Sequence, residues 1–144
     1  MIPQPTDLRL GRTVRVIGVM PPRPTTVPAV LHAAARILRA TGLYRGDYVQ
    51  DAFDREFTTP HTQRPMSVVA ALRCAVSGDP HRLTVLADRA LSELALAIDE
   101  GPVWGDVFSL EAHVDRWSDA PDRTAHEAAA LLDAVAVAAL ERAA

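Results

Sequence analysis

The chain has no lysine and no asparagine; its fifteen basic residues are all arginine. Two chemistries go with the missing lysine. Schiff-base catalysis by a side chain needs a primary amine, and a P-loop needs a lysine to reach the nucleotide phosphates. There is one cysteine, Cys74, so no intrachain disulfide forms and the framework of a small secreted protein is absent. Its apolar setting reads as a buried, inert thiol. Aromatic residues make up only 5%, and none is interleaved with the arginines of the leading arm, Arg9 to Arg23, in the way that stacking on bases requires. No apolar run approaches the roughly 18 residues that cross a membrane. The opening "MIPQPTDLRLGR" lacks the apolar centre of a signal peptide, so a cytoplasmic protein is expected. Arginine used to the exclusion of lysine fits a high-GC genome such as that of an actinobacterium.

What is present points to helices. The 144 residues fit one domain. Hydrophobic residues are 49% and alanine is abundant, and small side chains suit closely packed helices better than sheets. The fold expected is mainly α: a compact bundle of four to five helices with a short N-terminal β arm. Residues 1–25 read as a basic arm and Pro-rich linker, and 26–144 as the helical domain.

Charge separates the same way. Residues 1–46 hold seven arginines against Asp7, while 47–144 hold eight arginines against seventeen acids. Arg9, Arg12, Arg15 and Arg23 give a nucleic-acid partner something to contact. They can equally dock on the chain's own acidic part or on a second subunit.

The periodicity places the elements. "TVRVIGVM" is a β-branched strand, paired with "LRL" through "GR". "PPRPTTVP" interrupts regular structure and reads as a semi-rigid linker. A helix then runs from an N-cap at Thr26, with Pro28 in its first turn, to Gly42. Its apolar face is Val27, Val30, Leu31, Ala34, Ile37 and Leu38, which leaves His32 at the boundary. "YVQD" and "REFTT" are candidates for a small hairpin. Asp47, Asp51, Asp54 and Glu56 lack the alternation and central glycine of a calcium loop, and His61 has no metal-site partner nearby. "MSVVAALRCAVSG" is an almost wholly apolar, central helix stopped by Gly78. The next helix is expected to start at Asp79–Pro80 and end at Gly101, with a stripe from Leu83 to Ile98. Ser109 caps a short helix on which Leu110, Val114 and Trp117 share a face. Thr124 and Glu127 have capping-box spacing at the entry to the last helix, whose stripe is Ala128, Leu131, Leu132, Val135, Ala138 and Ala139. Pro121 fits the second position of a turn over "APDR".

Few polar residues lack a structural duty. Ser118 and His126 are two, but no glycine-flanked elbow surrounds Ser118. If a pocket exists, Trp104, Trp117 and the Tyr44–Tyr48 loop would form it, with Arg45, Asp47, His113 and Asp119 as its polar lining. No catalytic residue, metal or cofactor is assigned.

Three pieces, "LHAAARILRATGLYRGDY", "MSVVAALRCAVSG" and "WSDAPDRTAHEAAALLDAV", resemble a small helical family of unknown function found in actinobacteria and their phages. Its motifs are Gly-Trp and Gln-Gly after the first helix, a Cys-Ala-Leu-Gly-Ala-Leu helix, and Trp-Asn-Asp with Pro-Gly-Arg-Thr before a long helix. The resemblance covers about residues 28–137. Leu43–Tyr44 and Arg45–Gly46 replace the first two pairs, Ser67 and Ala70 the cysteine and glycine of the second helix, Ser118 the asparagine and Asp122 the glycine. Such a family implies a helical fold and transfers no activity. The function expected is that of a non-enzymatic interaction or accessory protein, self-associating through the arm or the last helix or binding another protein. The alternatives are a nucleic-acid-binding regulator using the arm and a small-molecule binder or small enzyme at Trp104/Trp117.

Overall fold

Thr26 starts the first helix: its hydroxyl accepts the Ala29 amide at 3.3 Å, satisfying one of the donors that a helix leaves free at its N-terminus. In the computed structural model, which describes residues 22–45, 64–98 and 107–143, this helix is α1, Val27–Thr41. Gly42 ends it at φ 98°, donating its amide to the Leu38 carbonyl. A side chain would be strained at that φ.

α2, Val68–Ser77, is capped by Ser67, whose hydroxyl accepts the Ala70 amide at 3.1 Å. Gly78 closes it in the left-handed conformation at φ 82°. Every residue from Val68 to Ala75 is buried, so the helix is central, as its all-round apolarity predicts. Arg73 is buried with the rest.

α3 is Val85–Ala97, and here the structure corrects the sequence reading. Asp79 does not cap it. The Asp79 carboxylate accepts the His81 amide at 2.9 Å, holding Pro80 and His81 in a turn. The cap is Thr84, whose hydroxyl accepts the Ala87 amide at 3.1 Å. Leu83 therefore precedes the helix and is 62% exposed instead of starting the stripe. The stripe proper, Ala87, Ala90, Leu91 and Leu94, is buried. The helix ends at Ala97, with Ile98 as its cap, before Gly101 is reached.

α4, Val107–Ser118, also starts earlier than expected, which puts Ser109 inside the helix and not at its cap. Leu110 and Val114 are buried and Trp117 is packed against the core beside them. The turn that follows is held by the Arg123 amide on the Ala120 carbonyl at 3.0 Å, with Pro121 in second position. α5, Ala125–Ala143, then opens on the capping box. The Glu127 amide donates to the Thr124 hydroxyl at 3.1 Å, and the Thr124 amide to the Glu127 carboxylate at 3.0 Å.

α1 packs most extensively on α5, while α2 lies against α1, α3 and α4, and α3 pairs with α4. Leu31, Leu38, Leu72, Leu94, Val114 and Leu132 fill the shared core, each side chain stabilising by about 1.5–3 kcal/mol when fully buried. Ala34, Ala71, Ala90, Ala129 and Ala136 are fully buried between them, and their small size lets the helix axes approach. The only strand-like pairing among the described residues is a parallel bridge of Leu43 with Met66. The N-terminal β arm, the 48–59 hairpin and the acids from Asp47 to Glu56 fall outside the described residues. No helix among the described residues is long and apolar enough to cross a membrane.

Candidate functional site

Of the side chains proposed to line a pocket, the structure brings several to the junction of α4 and α5. Arg45 crosses from the end of the first helical segment and donates to the carbonyls of Ala120 (3.2 Å) and Arg123. Arg123 donates to the Trp117 carbonyl at 3.1 Å and lays its guanidinium over the indole, 3.8 Å from the ring centroid, a cation–π contact. Asp119 is exposed and begins the turn, its amide on the Asp115 carbonyl at 2.8 Å. Tyr44, half-buried, donates its amide to the Met66 carbonyl. His113 lies one turn before Trp117 on α4, buried, with no hydrogen-bond partner for Nε2. Ser118, expected to be idle, is fully buried and donates to the Asp115 carbonyl at 3.2 Å. Trp104 and Asp47 lie outside the described residues. Arg45 and Arg123 thus tie backbone carbonyls and an indole together, so the junction acts as a clasp between chain segments.

A second polar cluster was missed by sequence reasoning. Arg73, only 4% exposed at its side chain, pairs with Glu111 at 2.8 Å. Glu111 and Asp115 are four apart on α4 and share a flank. Burial first, then the charges of Glu111 and Asp119, push the Asp115 carboxyl up to about 6, against a smaller opposing pull from Arg73. An arginine inside an apolar helix pattern was the available signal, but its partner is 38 residues away, and no local spacing identifies it. Among the described residues no three His, Cys, Asp or Glu side chains are grouped to hold a metal.

Elsewhere in the bundle α3 and α5 touch only lightly. Between them runs an open groove of about 520 Å³, lined by Glu93, Leu96, Ala97, Leu131, Ala134, Val135, Ala138 and Arg142. Arg142 donates to Glu93 across it at 2.7 Å. Leu96 is 68% exposed, and Val137 (49%) and Leu140 (61%) stand on the outward side of α5. These residues were not singled out as a site, although Val137 and Leu140 fall off the α5 stripe and could have signalled it. A smaller cleft of about 300 Å³ lies where the linker enters, between Arg23, Arg36, Ile37 and Ala75. There Arg23 points its guanidinium at the Cys74 carbonyl and against Gly78. Arg9, Arg12 and Arg15 lie outside the described residues.

No curated protein and no solved structure matches this chain. Residues 22–138 match a family of unknown function, DUF6197, a span that takes in all of α1 to α4 and most of α5. The helical architecture, the capping box and the clasp at Trp117–Arg123 all lie within it, and the chain belongs to that family.

Proposed function

We propose that this is a non-enzymatic interaction or accessory protein. One observation carries the reading: an open groove between α3 and α5 is lined by Leu96, Ala97, Leu131, Ala134, Val135 and Ala138, with Leu96 exposed to solvent. An open, largely apolar groove of this kind marks an interaction site more often than a scattered leucine does. The polar clusters support the same reading, since Arg45, Arg73 and Arg123 are engaged in holding the fold together. A reducing, cytoplasmic setting suits the one thiol, Cys74, which burial pushes up despite the nearby Arg23. The arginine-only basic set is in keeping with an actinobacterial origin.

The test is affinity capture with the full chain and its Leu96→Glu variant from the native host. A partner enriched by the first and lost from the second supports the reading. Capture that is identical with both places the function elsewhere.

A second reading rests on Arg23 and Arg36, which line the linker cleft together and continue the basic character of the leading segment. Nucleic-acid binding there would weaken steeply with salt as counterions are released. Absence of binding at low ionic strength removes it.

A further inference from the structure

Three side chains bridge α1 and α5 beside their shared apolar contact. His32 Nδ1 meets one oxygen of Asp133 at 2.7 Å, and Arg39 meets the other at 2.7 Å. Two lone pairs repel at that distance, so the imidazole proton sits on Nδ1 and is donated to the carboxylate. Nε2 is left with the lone pair. It makes no hydrogen bond among the described residues, where only Asp88 Oδ1 and His113 Nε2 are buried without a partner. Nε2 of His32 therefore meets solvent, on a side chain 41% exposed. Arg39 alone would tie Asp133 to α1. The histidine adds an oriented, accessible nucleophile, held by a carboxylate in the way that an aspartate orients a reactive imidazole elsewhere.

One turn further along α1, on the same side of the helix, stands Arg36. It is exposed and has no hydrogen bond or ion pair among the described residues. We propose that His32 is a phosphoryl-accepting residue: Nε2 takes a phosphoryl group from a small donor with a good leaving group, an acyl phosphate or a phosphoramidate, and Arg36 holds the transferred group. The proposal goes beyond the interaction reading and stands without it.

In the step, the Nε2 lone pair forms the N–P bond. The donor's P–O bond breaks and its electron pair leaves on the carboxylate; with phosphoramidate the P–N bond breaks, and the amine, already protonated in the donor, leaves as ammonia. The Nδ1 proton stays in place, and the ring becomes an imidazolium whose charge lies against Asp133. Nothing is oxidised or reduced. Charge selects this group over others that an imidazole takes. A phosphoryl group brings about two negative charges and three acceptor oxygens, which suit a guanidinium. An acetyl group brings no charge for Arg36 to meet. A metal ion needs further ligands, and among the described residues no three His, Cys, Asp or Glu side chains are grouped to hold one. Asp133 and Arg39 are positioning residues, fixing the ring without touching phosphorus.

The experiment incubates the full chain with potassium phosphoramidate at neutral pH. Labelling at each histidine is followed by mass spectrometry of peptides kept alkaline, because acid cleaves the N–P bond. His81 and His126 are exposed and His32 is only partly so, so accessibility alone labels those two first. The expected result is the reverse, with His32 labelled faster than either. Asp133→Asn keeps an acceptor for Nδ1 and removes the charge; it should slow His32 about tenfold or more and leave His81 and His126 as they were, with helix content unchanged by circular dichroism. Arg36→Ala should likewise slow His32 alone, and because Arg36 is exposed this variant keeps the test valid should Asp133→Asn fail to fold. Labelling of His32 no faster than that of His81 and His126, or a His32 rate unchanged in either folded variant, overturns the proposal.

Discussion

Arg73 places a permanent charge where only 4% of its side chain meets water, and Glu111 pairs with it at 2.8 Å. Removing one member of a buried ion pair typically costs about 3–5 kcal/mol. Glu111→Leu should therefore lower the midpoint of urea unfolding sharply, and Arg73→Met on top of Glu111→Leu should recover most of the loss. Asp115, on the same flank of α4, acts through pH. Its folded carboxyl is raised from 3.8 to about 6, so between those values the folded state binds a proton that the unfolded state does not. Its contribution to stability falls as pH rises through that window and stays reduced above it. Asp115→Asn should remove this dependence and stabilise the protein at neutral pH by roughly 1–2 kcal/mol. That is less than the full value of about 1.4 kcal/mol per pKa unit, because the group is only part-buried. Asp133 has the opposite sign. Burial raises its carboxyl, but hydrogen bonds and charge from His32 and Arg39 outweigh that and hold it below 3.8. Its contribution is present above the ordinary aspartate value and is lost as pH falls through the lowered one. Thermal melts from pH 3 to 8 on wild type and Asp115→Asn separate the two windows.

At the scale of elements, the caps carried most of what could be read in advance. Thr26, Gly42, Gly78 and the Thr124–Glu127 box each stand where their chemistry predicts, because a helix terminus leaves backbone groups that a neighbouring side chain or a glycine must resolve locally. The start of α3 is ambiguous in the sequence because two valid signals lie five residues apart. Asp79–Pro80 has the form of an N-terminus and so does Thr84. The chain uses the first as a turn out of Gly78 and the second as the cap. Circular dichroism with urea titration distinguishes them: Thr84→Ala and Thr124→Ala should each cost about 0.5–2 kcal/mol, while Asp79→Ala should leave α3 intact and cost less. Stripes were legible for the same local reason. The Arg73–Glu111 pair, the clasp of Arg45 on the turn before α5, and the groove depend on how helices distant in sequence are set beside one another, which no periodicity encodes.

For the molecule as a whole, the open groove between α3 and α5 is a departure from close packing that the polar clusters do not fill, and it leaves Leu96 in solvent. The order of the helices has a separate consequence for synthesis. The face of α1 is completed by α5, and His32 meets Asp133 across 101 residues of sequence. A ribosome adding about 5–20 residues per second makes the first helix wait roughly 5 to 20 s for its main partner. Until α5 emerges, Val30, Leu31 and Leu38 lack the helix that packs most extensively on α1, so a nascent chain halted before Thr124 should be a substrate for chaperones and proteases that the finished protein escapes.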